Sequence, residues 1–229
     1  MTLITLLLSF YGIIFVFPAP IILALFLNEI RKSWFKRSIQ SLIYVPHFLS
    51  WVIVASISFM LLQTTGPING LINFLGGETV NFLTDTRTFR PIIIIQTIWK
   101  NSGWGTIVFL AALSNVDVEQ YEAAIVDGAG RFRQVWHITL PAIRSVIVIL
   151  FILQMGNVLD NGFDQIFLMS NAGNRSVSDV LDTFTYREGI INGAFSYTTA
   201  IGLFKAVIGL ILILGSNKLA KKAGESGIF

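Results

Sequence analysis

The sequence predicts an all-α membrane protein, on the basis of two observations. Hydrophobic residues make up 54% of the 229 positions and charged residues only 13%, whereas soluble domains carry roughly 25% charged residues. The apolar residues also stand in long blocks, which gives a mean hydropathy of +0.72 and is typical of transmembrane helices. A chain with so few charges has too little polar surface for a water-soluble globule of this size.

Five apolar blocks are long enough, at about 20 residues each, to cross a bilayer as helices. The first contains Pro18 and Pro20, which remove backbone donors and kink a helix but are tolerated in a membrane where neighbouring helices surround it. The predicted spans are Leu3–Leu27, Leu42–Leu62, Pro91–Leu113, Ile143–Leu159 (with a polar end extending to Phe167) and Thr198–Leu214.

The basic residues orient these spans, because Lys and Arg concentrate in cytoplasmic loops. With the segments before span two, between spans three and four, and after span five placed in the cytoplasm, ten basic residues lie inside and four outside. The ten are Arg31, Lys32, Lys36, Arg37, Arg131, Arg133, Arg144, Lys218, Lys221 and Lys222, and the four are Arg87, Arg90, Arg175 and Arg187. The amino terminus is then outside, which leads us to expect that a preceding first helix is missing from this chain. Whether the chain functions without it is left open.

Several function classes are disfavoured by what the sequence lacks. It has no cysteine, and its two histidines, His47 and His137, are far apart, so we expect no metal site. The net charge of +3 arises from residues between the apolar blocks and not from one basic stripe, so no nucleic-acid partner is expected. No Walker A sequence occurs, so the chain itself is not expected to bind ATP, and no other cofactor is predicted.

A membrane-embedded enzyme is one alternative. Asp160 and Asp164 are spaced one helical turn apart, which superficially resembles an intramembrane aspartyl pair. Two carboxylates on a single helix do not face each other across a site, and the sequence has neither a Ser/His/Asp set nor an H-E-x-x-H motif. No catalytic residue is therefore predicted, and the chain is not expected to be an enzyme.

The predicted cytoplasmic segment 114–141 has signals for two short helices. Asn115 or Asp117 can cap a helix start, and the following stretch contains Glu122-Ala123-Ala124, which favours helix. Gly128 and Gly130 then end that helix. A second amphipathic stretch, Arg131 to Thr139, directs Phe132, Val135, Trp136 and Ile138 toward the membrane, and Pro141 begins span four.

The same segment resembles the EAA loop of the binding-protein-dependent permeases. Glu122-Ala123-Ala124, three residues, Gly128, nine residues and then Ile138-x-Leu140-Pro141 stand at the family's spacing. In that family the loop docks as a coupling helix on a cytoplasmic ATPase. The resemblance implies that the ATPase-coupling residues are Glu122, Ala123, Ala124, Asp127, Gly128, Ile138, Leu140 and Pro141.

Further segments resemble the sugar-permease branch, and in particular its polysaccharide and complex-oligosaccharide importers. They are Phe17–Pro20, Leu27–Arg31, Tyr44–Trp51, Asn161–Phe167, Phe195–Lys205 and Gly227–Phe229. The resemblance implies a single transmembrane permease domain over 1–229 with the MetI-like fold of type I ABC importers, multi-pass in the bacterial cytoplasmic membrane. It also implies four partners: a second homologous permease, an ABC ATPase dimer, an extracellular sugar-binding protein or lipoprotein, and a carbohydrate substrate. The EAA loop is shared by permeases for amino acids, peptides and phosphate, so those cargoes stay open as alternatives.

Polar side chains within the spans indicate a translocation path, because ionisable groups in a membrane face the bundle interior or water. On span four, spacings of three, four and three place Gln154, Asn157, Asn161 and Asp164 on one helical face. Carboxylates and amides bond sugar hydroxyls, and aromatic rings cover the apolar faces of sugars. The predicted path residues are Lys100, Trp104, Asn157, Asp160, Asn161, Asp164 and Gln165.

Helix packing is the alternative explanation for polar and small residues within the spans. Amide side chains bond across helices, and glycines such as Gly202 and Gly209 allow two backbones to approach closely. Lys100 either binds an acidic sugar or pairs with an Asp inside the bundle.

Overall fold

The computed structural model describes residues 1–225 and 227–229, and those residues form helices and turns with no strand among them. Fourteen α-helices follow one another along this described part of the chain. They are α1 Thr2–Tyr11, α2 Pro18–Asn28, α3 Ser33–Tyr44, α4 Trp51–Leu62, α5 Pro67–Phe74, α6 Thr86–Leu113, α7 Val118–Val126, α8 Arg131–Gln134, α9 Leu140–Ala142, α10 Arg144–Gly156, α11 Phe163–Met169, α12 Arg175–Ser178, α13 Leu181–Tyr186 and α14 Phe195–Lys222.

Wider π-helical turns join some of these helices without breaking them. They are Gly12–Val16, Val135–Thr139 and Arg187–Ile191. The first lies just before Pro18, at the start of α2. Proline has no backbone N–H, and the wider turn accommodates the helical hydrogen bond that is lost. Thr2–Asn28 therefore remains one candidate span of 27 residues, in agreement with the predicted first span.

Three helical segments are long and apolar enough to cross a membrane: Thr2–Asn28, Trp51–Phe74 and Phe195–Lys222. A fourth arises if Arg131–Ala142 and Arg144–Gly156, which are bent by 60°, count as one span. The prediction of about five spans also included α6. That helix has 28 residues, but polar residues such as Gln96, Lys100 and Asn101 in its middle keep it from reaching the same apolar character.

The second span does not begin at Leu42 as predicted. α3 gives way to a 3₁₀ turn at Val45–Phe48, because Pro46 cannot donate a helical hydrogen bond. α4 starts afresh at Trp51, where the Ser50 side chain caps it by accepting the N–H of Ile53 at 3.3 Å. The segment between predicted spans two and three also holds α5 and the start of α6.

The continuous helical face predicted for span four is wrong. α10 ends at Gly156, Asn157 is its C-cap, and the chain leaves the helix until α11 begins at Phe163. Gly162 lies in the left-handed region with φ of 76°, a conformation that glycine adopts readily. Asn161 therefore lies in the break and Asp164 on a separate helix, so Gln154, Asn157, Asn161 and Asp164 do not form one stripe.

The chain divides into two compact units. The first comprises Met1–Val16, Phe48–Lys100 and Val158–Ala206. Its apolar core brings α1, α4, α6 and α11 together through the buried side chains Leu8, Ala55, Phe89, Ile93, Ile166, Met169 and Val180. This core holds α11, which follows residues 158–162.

The second unit comprises Phe17–His47, Asn101–Asn157 and Val207–Phe229. Its core joins α2, the second half of α6 and the start of α10 through Ala24, Phe109, Leu113 and Ile143. Ile143 is fully buried and stands at the bend between α9 and α10. The unit thus fixes the base of the segment that carries α7 and α8.

Candidate functional site

The segment between α6 and α9 forms the helix–turn–helix that the sequence predicts. Asp117 caps α7, and its carboxylate accepts the N–H of Glu119 at 3.0 Å, which satisfies one of the free donors at a helix start. At the other end, the Gly128 N–H donates to the Ile125 carbonyl at 3.0 Å, and the Ala129 N–H donates to the Ala124 carbonyl at 2.8 Å. These two bonds form a Schellman motif.

Gly128 has the left-handed backbone that this turn requires, with φ of 74°. A methyl group built on it would meet no atom within 4 Å. No other part of the described chain therefore packs against this glycine. Glycine is needed here for the left-handed backbone, and no side chain projects from the surface at this position.

Side-chain bonds link α7 to the segment that follows it. The Tyr121 hydroxyl lies 3.0 Å from the hydroxyl of Thr139, which is 2% exposed. The Gln134 amide donates to the Ala129 carbonyl at 2.8 Å. These contacts connect the first helix, the turn and the π-helical turn into one piece of structure.

The predicted coupling residues differ in exposure. Glu122, Ala123, Asp127 and Gly128 are exposed, while Ala124 is half-buried. Further along, Ile138 and Leu140 are half-buried and Pro141 is exposed. Three apolar side chains of α7 are also exposed: Val118 at 65%, Ile125 at 63% and Val126 at 87%. A short helix that presents bare apolar side chains is suited to contact another protein.

The break between α10 and α11 is bonded by side chains of the first unit. The Ser9 hydroxyl donates to the Val158 carbonyl, and the Asn161 amide donates to the Thr5 carbonyl at 3.3 Å. The Asn161 N–H donates to the carboxylate of Asp182 at 3.3 Å. Irregular backbone at membrane depth needs such partners, since lipid supplies none.

An ionic cluster stands at the same break. The Lys205 ammonium contacts Asp160 at 2.5 Å and also Asp182. The side chains of Lys205 and Asp182 are 14% and 19% exposed, whereas that of Asp160 is 58% exposed. Asp160 therefore keeps an accessible carboxylate edge, while Lys205, which also pairs with Asp182, holds it in place.

The remaining predicted path residues do not join that cluster. Gln165 is buried, and its amide bonds the Gln96 side chain and the Ile93 carbonyl at 2.9 Å each while accepting from Thr97 at 3.0 Å. These bonds use the Gln165 amide in packing α11 against α6. Asp164 is exposed in the first turn of α11. A role in substrate contact stays a prediction for both.

Lys100 is 7% exposed and donates to the Leu49 carbonyl at 2.5 Å. Its ammonium also lies 5.4 Å from the centre of the Trp51 ring, a cation–π distance. In the second unit, Trp104 stacks on His47 with ring centres 4.7 Å apart. Asn157, also in the second unit, is exposed, and its amide donates to the Leu153 carbonyl at 3.2 Å.

The sequence reasoning missed the pairing of Lys205 with Asp160 and Asp182. Lys205 was visible as a charge inside an apolar span, which is a signal for a paired group. Asp182 gave no such signal, because it lies in a polar segment. The contacts of Thr5 and Ser9 with the break were not predictable for a different reason. Hydroxyl side chains are common in membrane helices and do not by themselves indicate such a contact.

These features describe a helical membrane component with an exposed short helix, α7. Residues 16–223 match the family described as binding-protein-dependent transport system inner membrane component. The chain belongs to this family of ABC importer permeases, as the EAA resemblance predicted.

Two relatives from Bacillus subtilis cover most of the chain. Protein LplB is 59% identical over 226 residues, which are 98% of this chain and 71% of LplB. The polygalacturonan/rhamnogalacturonan transport system permease protein YteP is 56% identical over 214 residues, 93% of this chain and 67% of YteP.

Solved structures agree with the fold. A chain from a bacterial alginate ABC transporter, solved in complex with an alginate pentasaccharide-bound periplasmic protein, superposes with a TM-score of 0.96 at 37% identity. The match covers 99% of this chain and 79% of that one. The MetI-like permease fold expected from the sequence is thereby confirmed.

Proposed function

We propose that this chain is a transmembrane subunit that imports oligosaccharides or related carbohydrates across the bacterial cytoplasmic membrane. It forms part of the translocation path and couples that path to a cytoplasmic ATPase. The family membership supports transport, and two features of the relatives support carbohydrate as cargo. YteP is named for polygalacturonan and rhamnogalacturonan, and the similar solved transporter is one for alginate.

The coupling role rests on one observation: α7 is capped at both ends and exposes its apolar side chains Val118, Ile125 and Val126 to solvent. Docking in a groove of an ATPase would bury Val118, Ile125 and Val126. Each such side chain stabilises the contact by about 1.5 kcal/mol or more when fully buried. Closure of the ATPase pair on ATP would then move α7 and, through Tyr121 and Thr139, the helices that follow.

The assembly requires a second homologous permease, an ATPase dimer and an extracellular sugar-binding protein. ATP binding switches the path from inward-facing to outward-facing, and the binding protein then releases its sugar into it. We place Asp160 and Asn161 on the wall of that path. Hydrolysis of ATP returns the transporter to the inward-facing state.

The first test is the substitution Gly128→Asp, read out by capture of the ATPase on the tagged chain. We expect the chain to reach the membrane but to lose the ATPase, because a charged side chain would stand on the docking surface. The matched control is Gly76→Asp. Gly76 also has a left-handed backbone, with φ of 84°, and open space around it, but it lies on the predicted outer side.

Equal loss in both variants would mean that backbone strain, of roughly 1 kcal/mol at a positive φ, explains the effect. Capture by Gly128→Asp at the wild-type level would contradict the coupling role. The cargo is tested separately by growth of a deletion strain on a panel of glycans, amino acids and peptides. Growth defects confined to amino acids or peptides would contradict the carbohydrate assignment.

A further inference from the structure

A polar pocket of about 370 Å³ lies in the first unit, and none of the three residues of the ionic cluster lines it. Its walls come from the end of α11, from α12 and α13, and from the π-helical turn Arg187–Ile191. The positive-inside rule places this segment of the chain outside the membrane. Its volume is at the lower end of the range for ligand sites, about 300–1,000 Å³, which suits one ring-sized group better than a whole oligosaccharide.

The loop that walls the pocket is held by buried amide groups. Asn174 is 1% exposed, and its side chain donates to the Leu83 and Met169 carbonyls at 3.0 Å each. Asn171 donates to the same Leu83 carbonyl at 2.7 Å. The pocket is therefore formed before any ligand arrives, which lowers the ordering cost of binding.

An ion pair forms part of the pocket wall. Arg187 bonds both carboxylate oxygens of Asp179, at 3.1 and 2.9 Å, and Thr183 donates to one of them at 3.0 Å. Burial raises the pKa of Asp179, but the hydrogen bonds from Arg187 and Thr183 outweigh it and hold that pKa below its ordinary value. Glu188 also lies 3.5 Å from the Arg187 guanidinium. Arg187 is thus neutralised by its neighbours.

Two other polar side chains of the pocket, those of Ser178 and Arg175, are not part of this ion pair. The Ser178 side chain is fully buried, yet its hydroxyl has no hydrogen-bond partner within the described part of the chain. A buried polar group without a partner is costly, and a ligand hydroxyl would remove that cost. Arg175 lines the pocket and is exposed. Its charge helps to lower the pKa of Asp179, but among residues 1–225 and 227–229 it forms no salt bridge within 4.0 Å.

Aromatic rings complete the site. Phe167 and Tyr186 both line the pocket, with ring centres 5.2 Å apart in an edge-to-face arrangement. Aromatic faces cover the apolar C–H faces of ring-shaped ligands, and the tyrosine hydroxyl adds a polar edge. Two aromatic rings, a buried hydroxyl without a hydrogen-bond partner in the described part of the chain and the exposed guanidinium of Arg175 therefore line a single cavity.

We propose that this pocket binds one sugar ring that carries a carboxylate. Phe167 and Tyr186 lie against the ring, Ser178 bonds a ring hydroxyl, and Arg175 holds the carboxylate. Arg forms paired hydrogen bonds with a carboxylate, so it selects an acidic sugar over its neutral counterpart. The inference rests on the proposed function in that the ligand is taken to be a carbohydrate.

The test uses the full chain in lipid nanodiscs, titrated with D-galacturonate and with D-galactose and followed by saturation-transfer NMR. We expect galacturonate to bind more tightly than galactose in the wild type. Arg175→Gln should weaken galacturonate about ten-fold, as expected for the loss of a charge-assisted hydrogen bond, and leave galactose unchanged. Arg175→Lys keeps the charge without the paired geometry and should fall between the two.

Arg87→Gln is the matched control, because Arg87 is an exposed arginine on the same predicted side that does not line this pocket. It should bind both sugars as the wild type does. Equal affinity for the two sugars, no binding of either, or no effect of Arg175→Gln would each overturn the proposal. So would an Arg175→Gln variant that loses only capture of the binding protein, since the pocket would then be a protein contact.

Failure here is distinct from failure of the proposed function. ATPase capture that depends on Gly128, together with absent galacturonate binding, would leave the permease assignment intact and remove the pocket. Galacturonate binding that depends on Arg175, together with no capture of any ATPase, would leave the pocket and contradict the coupling role of α7.

Discussion

Lys205 is the centre of an ionic cluster at the helix break, although the sequence shows it only as a single charge in an apolar span. An ammonium in a membrane segment is costly unless it is paired, and here two carboxylates share it. Asp182 also accepts the Asn161 N–H, so it joins α13, α14 and the broken segment. Asp160 contributes the more exposed carboxylate of the cluster.

Asp182→Asn should therefore destabilise the chain more than Asp160→Asn. The neutral amide weakens both the contact with Lys205 and the bond from Asn161, at a cost of about 1–2 kcal/mol for a partly buried pair. For a chain of this size that corresponds to a fall of about 4 °C in the melting temperature. Thermal unfolding in detergent measures it.

The control for that experiment is Asp164→Asn, on an exposed carboxylate in the first turn of α11. It should unfold within about 1 °C of the wild type, as surface substitutions do. Equal stability of Asp182→Asn and Asp164→Asn would contradict the structural role of the cluster.

At this scale the sequence indicated some roles and concealed others. Asp160 and Asn161 were predicted because polar groups stand out in an apolar block. The partner Asp182 lies 23 positions from Lys205, and no local spacing relates the two. Gln165 stood out for the same reason as Asn161, yet its amide is used within the helix bundle. Polarity in a span therefore indicates a partnered group without revealing the partner.

Among the elements, the start and end of α7 were predictable from local sequence signals. Asp117 caps it and Gly128 ends it, and both are residues with strong preferences for those positions. The break at residues 157–162 was missed because polar residues at helical spacing imitate a continuous face. Gly156 and Gly162 were the available warnings, but glycine also occurs inside membrane helices.

The contact between α14 and the end of α10 leads to a stability prediction. A methyl group on Gly209 would lie 2.5 Å from the Gly156 carbonyl oxygen, whereas one on Gly202 would meet nothing within 4 Å. We expect Gly209→Ala to lower the melting temperature by several degrees, since overpacking costs about 1–3 kcal/mol. Gly202→Ala, on the same helix, should be neutral or slightly stabilising because alanine favours helix.

Similar melting temperatures for Gly209→Ala and Gly202→Ala would show that the two backbones do not depend on close approach. The comparison also separates the two glycines that the sequence treated alike. Close packing is supported for Gly209, and the position of Gly202 leaves room for a side chain.

For the whole molecule, the orientation in the membrane is open to direct measurement, because the chain has no cysteine. Asn192→Cys and Asn115→Cys both place a thiol at an exposed position. We expect a membrane-impermeant maleimide to label Asn192→Cys in intact cells and Asn115→Cys only after lysis. The opposite pattern would reverse the predicted topology and move α7 away from any cytoplasmic ATPase.

The overall class was predictable because apolar composition and basic-residue asymmetry are properties of the whole chain. The number and limits of the spans were less so. Pro46 ends a helix inside predicted span two, the chain bends by 60° at the start of predicted span four, and α6 combines length with a polar middle. Hydropathy averaged over a window does not register these features, since each depends on where one residue meets its neighbours.

The Schellman turn after α7 has a consequence for how the transporter is put together. A helix of nine residues would be largely unfolded in water as a free peptide. Here its cap, its terminal turn and the Tyr121–Thr139 contact are all supplied by the chain itself. The partner thus meets a finished shape and spends no binding free energy on ordering it. In the proposed coupling role, the inserted permease would therefore present this surface to an ATPase without further folding.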